Sequence, residues 1–490
     1  MPELGTITQE TIDETKGILS KGVQQLRAPT SARKDITVAG DVLYGYPLEA
    51  PAKKLYPVED SMRRRVPRWV NPVGGTYAHW KQITAINTNK VKAGVAEGAI
   101  NDMIALADRE MSARYVTLNM AGQYSDESRI MGRQFEDIPA YAMLSTLQSL
   151  MIQEDRYIIG GNVWKIGAPA TVTATADAVT VGSLSAQRYY FKVSALTLHG
   201  YLNEVKGKAN AQAVDVDDET DATMVTHASG DTPTSNTAIT LTWTDVPGAA
   251  AYNIYAATTT SVKYLKTVLM NKATITDISG VGTTIPNAAD ATADLLGYNG
   301  LLGQIVGLYE DDGYEDVGSY YKSMDGAEMN GDNAAGVVEI DEALQQIWNK
   351  ARISPTLFLV NAQESRSMKA LAIGGASTNA ARITVAMDGQ AEFKAGAAVT
   401  AYYNPFTAQW IPILTSLHMA PGKILMLGER VPYPNSQTPN NFEVELQQEY
   451  YGEEFARTRR VQPLGVTCIG ALKLYFPAAC GVIANIKAST

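Results

Sequence analysis

The chain has 490 residues, 45% of them hydrophobic and 19% charged, with a formal net charge of -10. That length exceeds what one hydrophobic core supports and predicts roughly two to four domains. The acidic balance excludes a protein that grips nucleic acid with its whole surface, though not one with a single basic face.

Two cysteines, Cys468 and Cys480, are too few for a disulfide framework, and their apolar surroundings, VTCIG and PAACGVI, predict buried thiols. The N-terminal MPELGTITQETIDETKG has no basic n-region and no apolar h-region, so no signal peptide is expected. The longest apolar run, FPAACGVIANI, is about half of a membrane span, and no membrane partner is expected. Tyrosine is used 25 times and phenylalanine 8. That balance suits half-buried, half-wet surfaces such as interfaces.

Residues 1–60 read as an extended arm, with one amphipathic helix over Thr8–Leu26 and then isolated prolines without periodicity. Residues 61–100 read as an extended two-stranded loop. They open on Arg63, Arg64, Arg65 and Arg68, the densest positive cluster in the chain, and continue through a strand over Thr76–Ile86 into a glycine-rich tail. The four arginines predict a solvated patch facing a neighbouring subunit or packaged nucleic acid. Tyr115, Val116 and Leu118 predict a short strand. From Asp137, an N-cap, with Pro139 in the first turn, a long helix runs to a stop at Gly160-Gly161. Met143, Leu144, Leu147, Leu150 and Met151 form its apolar stripe, and Gln148, Ser149, Gln153 and Glu154 take the other side.

Composition then shifts to Thr, Ala, Val, Ser and Asp with period-two alternation from Ala168 to Ile278, which predicts a β-sandwich. The segments RYYFKV, LTW followed by VPG, and AYNIY resemble a fibronectin type III or related immunoglobulin-like module. Its expected core is Tyr190, Val193, Leu241, Trp243, Tyr252 and Ile254, and Asp215–Asn236 reads as a polar loop. After Asn299 the pattern becomes α+β. A helix over Asp341–Ala351 carries Ala343, Leu344, Ile347 and Trp348 on one face. The buried strand PTLFLVNA, a helix from Glu364 and six closing strands complete one long sheet.

No phosphate-binding loop, zinc spacing or nucleophile elbow is present, and His79, His199, His227 and His418 are scattered. The acidic loop from Asp215 to Asp221 lacks the glycine and the closing glutamate of a calcium loop. No catalytic residue, cofactor or metal is therefore expected, and the chain is not expected to be an enzyme.

Taken in order, RRRVPRWVNPVGGTYAHWKQIT, DIPAYAMLSTLQSLMIQEDRYIIGGN, NGLLGQI, Pro355–Leu371 and the closing strands from PGKILMLGERVPYP onward resemble the major capsid proteins of tailed bacteriophages. The resemblance implies a Hong Kong 97-type fold: N-arm, extended loop, peripheral domain with a spine helix, and axial domain. The body would be discontinuous, over 101–165 and 299–490, with the sandwich at 166–298 inserted between its parts. It further implies self-assembly into hexamers and pentamers of an icosahedral virion shell, built in the bacterial cytoplasm around double-stranded DNA held non-specifically. Scaffold and portal proteins would be assembly partners. The insert is expected on the exterior, dispensable for shell geometry and able to meet a decoration protein or a host-surface glycan. The competing readings are a sandwich-bearing adhesin or carbohydrate-binding protein, and an encapsulin-like nanocompartment shell.

Overall fold

A computed structural model of the chain describes residues 60–71, 74–86, 94–98, 100, 106–132, 137–161, 169–177, 184, 189–205, 223–226, 238–258, 262–279, 297–307, 318–331, 336–374, 383–385, 399–431, 439–457 and 459–488. The arm helix over Thr8–Leu26, His227 and the acidic loops at 215–221 and 310–316 lie outside these residues. Two compact units are distinguished, and the described part of the smaller one falls within 127–138. Everything that follows belongs to the larger.

The closing strands divide between two sheets, where the sequence pattern predicted one. A seven-stranded mixed sheet contains β12 (Tyr320–Ser323), β13 (Leu357–Val360), β14 (Ile383–Val385), β15 (Val399–Asn404), β16 (Gln409–Thr415), β17 (Ile424–Leu427) and β20 (Gly481–Ala484), in the order β12-β20-β17-β13-β16-β15-β14. Its central strands, LFLV and ILML, are buried throughout, as strands covered on both faces must be. The two long strands β18 (Phe442–Glu454) and β19 (Val461–Leu474) instead join β1 (Arg68–Val70) and β4 (Val116–Ser125), in the order β1-β18-β19-β4. Ten residues of β19 pair in unbroken register with β4, which draws β19 away from the larger sheet.

The long helix, here α3 (Ile138–Ile159), ends where expected, at Gly160-Gly161. Its buried face differs from the apolar stripe. Leu150 is buried and Met143 and Leu147 pack partly against the core, but Leu144 is 51% exposed. The buried line is Thr146, Leu150, Glu154 and Ile158, four residues apart, with Asp155, Arg156 and Ile159 beside it. Glu154, expected on the wet side, lies on the core side because half-buried arginines and two tyrosines meet it there. In the second half, α6 (Val338–Ala351) buries Ala343, Leu344 and Ile347 but leaves Trp348 37% exposed, at the edge of that face.

Between Gly161 and Gly300 the chain builds two further antiparallel sheets. One has the order β10-β9-β6-β7, from β6 (Tyr190–Leu196), β7 (Thr223–Thr226), β9 (Ala251–Ala257) and β10 (Lys263–Val268). The other has the order β11-β8-β5, from β5 (Thr173–Asp177), β8 (Ala238–Thr242) and β11 (Lys272–Ile275). Val193, Leu241, Trp243, Tyr252 and Ile254 meet in one buried cluster. Tyr190 does not: it is half-exposed, while Tyr189 and Phe191 are buried. The alternation requires this, since 190 and 193 have opposite parity on one strand.

The chain returns to its point of departure. A Cβ on Gly161, which has φ +62, would lie 2.2 Å from the Gly300 nitrogen, and one on Gly300 would lie 2.3 Å from the Gly161 nitrogen. Only glycines permit this approach. The two-sheet region also grips the rest of the unit. Leu198 and Leu202, on α4 (Leu198–Val205), and Ala250 are buried in the main core. Asp245 accepts hydrogen bonds from Tyr252 (2.9 Å), Asn485 (2.5 Å) and Tyr321. Asn271 donates to Asp325 at 2.7 Å.

Beneath this junction lie Lys423 and Glu364, both buried. Burial pushes the Glu364 carboxyl up to about 7, against the pull of the Gly422 N–H, which donates to it at 2.6 Å. Burial likewise brings Lys423 down to about 8, against the nearby Asp245 and Glu364. A carboxyl that binds its proton more tightly folded than unfolded stabilises the fold below its unfolded value of 4.5 and loses that contribution as pH rises to about 7. Glu364→Gln is therefore expected to flatten the fall in melting temperature between pH 5 and pH 7; an unchanged slope in calorimetry would refute the assignment.

Candidate functional site: a buried arginine clamp and the arm it roots

The short helix α1 (Ser61–Arg65) places Arg63, Arg64 and Arg65 in its last turn, where the helix dipole favours cations. Met62 anchors it in the core. Arg63 Nε donates to Glu154 Oε2 at 3.1 Å and to the Tyr450 hydroxyl at 2.9 Å, and its backbone N–H donates to Asp155 Oδ1 at 2.7 Å. Arg68 Nη2 lies 2.5 Å from Glu154 Oε1, and its Nη1 donates to the Tyr450 hydroxyl at 3.1 Å. Both guanidinium groups lie over the Tyr450 ring, at 5.0 and 5.5 Å from its centroid. Tyr298 and Tyr450 hydroxyls complete the donors to Glu154. Asp155 Oδ2 pairs with His418 Nδ1 at 2.7 Å.

For Arg63 and Arg68 this corrects the expectation of a solvated or nucleic-acid-facing patch: their charges are spent on a carboxylate that is wholly buried. Arg65 Nη2 donates to Glu429 at 2.9 Å, and Arg64, with Nε 2.7 Å from Asp60, is 67% exposed. Burial works to lower the Arg68 pKa, and the Glu154 and Tyr450 charges more than reverse it, so the pKa is raised. Burial, then Glu154, raises those of Tyr450 and Cys468, the latter up to about 12. Both cysteines are free and buried.

After the clamp the chain enters a two-stranded arm, β2 (Tyr77–Ile86) with β3 (Leu106–Arg114). The expected loop segment 61–100 holds only the first of these strands. On β2, Ala78, Trp80 and Gln82 point inward and Tyr77, His79 and Lys81 outward. Trp80 Nε1 and Gln82 Nε2 each donate to the Leu474 carbonyl at 2.9 Å. A second buried ion pair, Lys473 with Glu445, lies alongside. Burial opposes ionisation of Glu445, but Lys473, Tyr115 and Asn71 hold its pKa below the usual carboxylate value. On the opposite face at the same level, the cross-strand pairs Lys81–Asp108 (2.8 Å) and His79–Glu110 (3.2 Å) are exposed.

Among the described residues, no group of three or more His, Cys, Asp or Glu side chains gathers as metal ligands would, and no helix is long and apolar enough to cross a membrane. Sequence reasoning missed Glu154, Asp155, Tyr298, Tyr450 and His418. The one local signal was the adjacent acid pair Glu154-Asp155 at the end of an otherwise apolar face.

No family model and no curated protein matches the chain. Among solved structures it is similar to the holo-SrpI encapsulin complex of Synechococcus elongatus PCC 7942, at 9% identity over 94% of this chain and 97% of that one, with a TM-score of 0.40. It is also similar to the capsid asymmetric unit of cyanophage A-1(L), at 9% identity over 92% and 96%, with a TM-score of 0.42. A third is the capsid of the myovirus XM1, at 9% identity over 91% and 100%, with a TM-score of 0.36.

Removing one partner of a buried ion pair leaves an unpaired charge and costs about 3–5 kcal/mol. Glu154→Gln is expected to destabilise the subunit by about that amount in urea titrations, whereas Arg64→Ala should stay within about 0.5 kcal/mol of the parent. Equal effects would mean that the clamp does not hold the fold.

Proposed function

We propose that the chain is a shell subunit, the major capsid protein of a tailed phage, which closes with copies of itself around double-stranded DNA. The observation that carries this reading is the β2–β3 arm. Among the described residues the two strands pair only with each other. An isolated two-stranded ribbon is marginal in water. This one is bound tightly at its root and offers exposed side chains and open strand edges beyond it. Such an extension gains stability by lying on a neighbour, and a subunit that reaches over its neighbours needs no catalytic group. The arm, the clamp that precedes it and the sequence resemblance support the same assignment.

Hexamers and pentamers, a scaffold, a portal and the virion as location belong to this reading through the resemblance. In it, residues 61–100 are the extended loop, 101–165 and 299–490 form the body, and the two-sheet region at 166–298 is an inserted immunoglobulin-like module on the outer surface. Of the four arginines, Arg64 and Arg65 are the exposed ones, each with one acidic partner, and these are the two that could face a neighbour or DNA.

The packing argues against the expectation that the module is dispensable. Its Leu198 and Leu202 fill the main core, so it acts as a clamp on the body. Leu198→Ala is expected to cost about 2–5 kcal/mol in stability, and removal of 168–278 to abolish soluble subunit. Well-formed particles from that deletion, seen by electron microscopy, would show the module to be a decoration.

The assignment itself is tested by imaging the expressed full chain. Closed shells of uniform size are expected, and a monomer at every concentration would refute it. Replacing 81–110 with a short turn should leave a folded subunit, by circular dichroism, whose assembly is weakened at least about tenfold.

A further inference from the structure

The open edge of a sheet invites another strand, and folded proteins guard such edges with short strands, charges, prolines or bulges. Most described edges of this chain are guarded. The edge strands β1, β5, β7, β10, β11, β12 and β14 have between three and six residues. The longer arm strands β2 and β3 carry Lys81, Asp108, Arg109 and Glu110, and their register shifts between Ile83 and Ala85. The exception is β4. It has ten residues, VTLNMAGQYS, with no charge and no proline, and keeps its register with β19 unbroken. Among the described residues it has a sheet partner on one side only.

One bond shows which residues turn toward that edge. The Asp126 N–H donates to the Arg460 carbonyl, in line with the register that pairs Ser125 with Val461. Antiparallel bonding alternates, so the even-numbered residues of β4 bond to β19 and the odd-numbered ones turn their N–H and C=O to the edge. Thr117, Asn119, Ala121 and Gln123 are of the second kind, and their side chains are exposed. On the other face lies α3. A Cβ on Gly452 of β18 would meet Met143, and one on Gly122 of β4 would meet Thr146 Oγ1 at 2.6 Å. The next stripe round the helix, Ala142, Ser145 and Ser149, therefore lies toward the open edge. It is small, and its hydroxyls donate to the Ala142 and Ser145 carbonyls at 3.0 and 2.9 Å, so covering it strands no donor.

We infer that β4 of one copy pairs antiparallel with β4 of a second copy, about a two-fold axis normal to the sheet, joining two four-stranded sheets into one. The strand suits itself as partner. Self-pairing sets a strand against its own reverse, so like charges would come to face each other, and β4 has none. Parity allows only registers that set odd against odd. With Thr117 opposite Gln123 and Asn119 opposite Ala121, about eight backbone hydrogen bonds form. The two α3 helices then lie on the same face, with their small stripes toward each other. The inference rests on the shell reading in expecting a second copy, and it names a two-fold contact for that shell.

The full chain is compared with two variants, Thr117→Lys with Gln123→Lys, and Thr117→Glu with Gln123→Glu, by analytical ultracentrifugation, electron microscopy and hydrogen exchange. The replaced side chains are exposed, so both variants are expected to keep the parent's melting temperature. Each alone should associate at least about tenfold more weakly than the parent, and an equal mixture of the two should recover association. In parent assemblies the Asn119 and Ala121 amides should exchange slowly, and in dilute subunit fast, while those of Leu118 and Met120 stay protected in both. Parent-like association of each variant alone, or no recovery in the mixture, would overturn the pairing. Normal shells from both variants would sink this contact and leave the shell reading standing; parent dimers that never close would do the reverse. If replacing 81–110 removes the protection of Asn119 and Ala121 and the charged variants do not, the edge belongs to a neighbour's arm and the inference is wrong.

Discussion

A carboxylate shut away from water stays charged only if donors surround it, and Glu154 is surrounded by Arg63, Arg68, Tyr298 and Tyr450. These come from three separate parts of the chain: the segment from Arg63 to Arg68 before the arm, the turn where the chain returns, and a long strand near its C-terminus. Each would drift without the others. The clamp therefore does for this unit what a disulfide does for a small secreted domain: it ties distant segments to one point. Its energetic profile is different, since the pair gains little over a well-packed apolar substitute but loses heavily if only one partner goes.

The root of the arm is held separately, by the end of β19. Trp80 and Gln82 share the Leu474 carbonyl, and the Glu445–Lys473 pair lies beside them. A rigid root under a ribbon that has no sheet of its own is a lever geometry. The strand it rests on, β19, is itself held in register with β4 and β18. The two-sheet region is also held firmly, by Asp245 above and Leu198 below.

Much of this organisation is legible in the residues themselves. LFLV and ILML declare buried strands, Gly160-Gly161 ends the long helix, and the Thr-rich alternation marks the two-sheet region. These signals are local, set by periodicity and turn chemistry within a few residues. The errors fall where the deciding partner is remote. Nothing near Glu154 indicates that Arg63, some ninety residues earlier, will turn a polar helix position into a buried one. Leu144 is apolar and helical in period yet exposed, because the face was chosen by Glu154 and Thr146. Tyr190 failed for a simpler reason: two adjacent tyrosines compete for one inward position, and parity with Val193 decides for Tyr189.

The contact between Gly161 and Gly300 has a kinetic side. The last turn of the long helix and the helix that follows Gly300 are neighbours in space, yet well over a hundred residues separate them in sequence. As an unfolded chain, that stretch would have to close as one very long loop, late and slowly. If the two sheets condense first, on their own short-range contacts, its ends are already side by side and the loop is effectively closed. During synthesis the long helix emerges before its neighbour exists, an order that favours helix first, then the sheets, and only then the strands that bury Glu154.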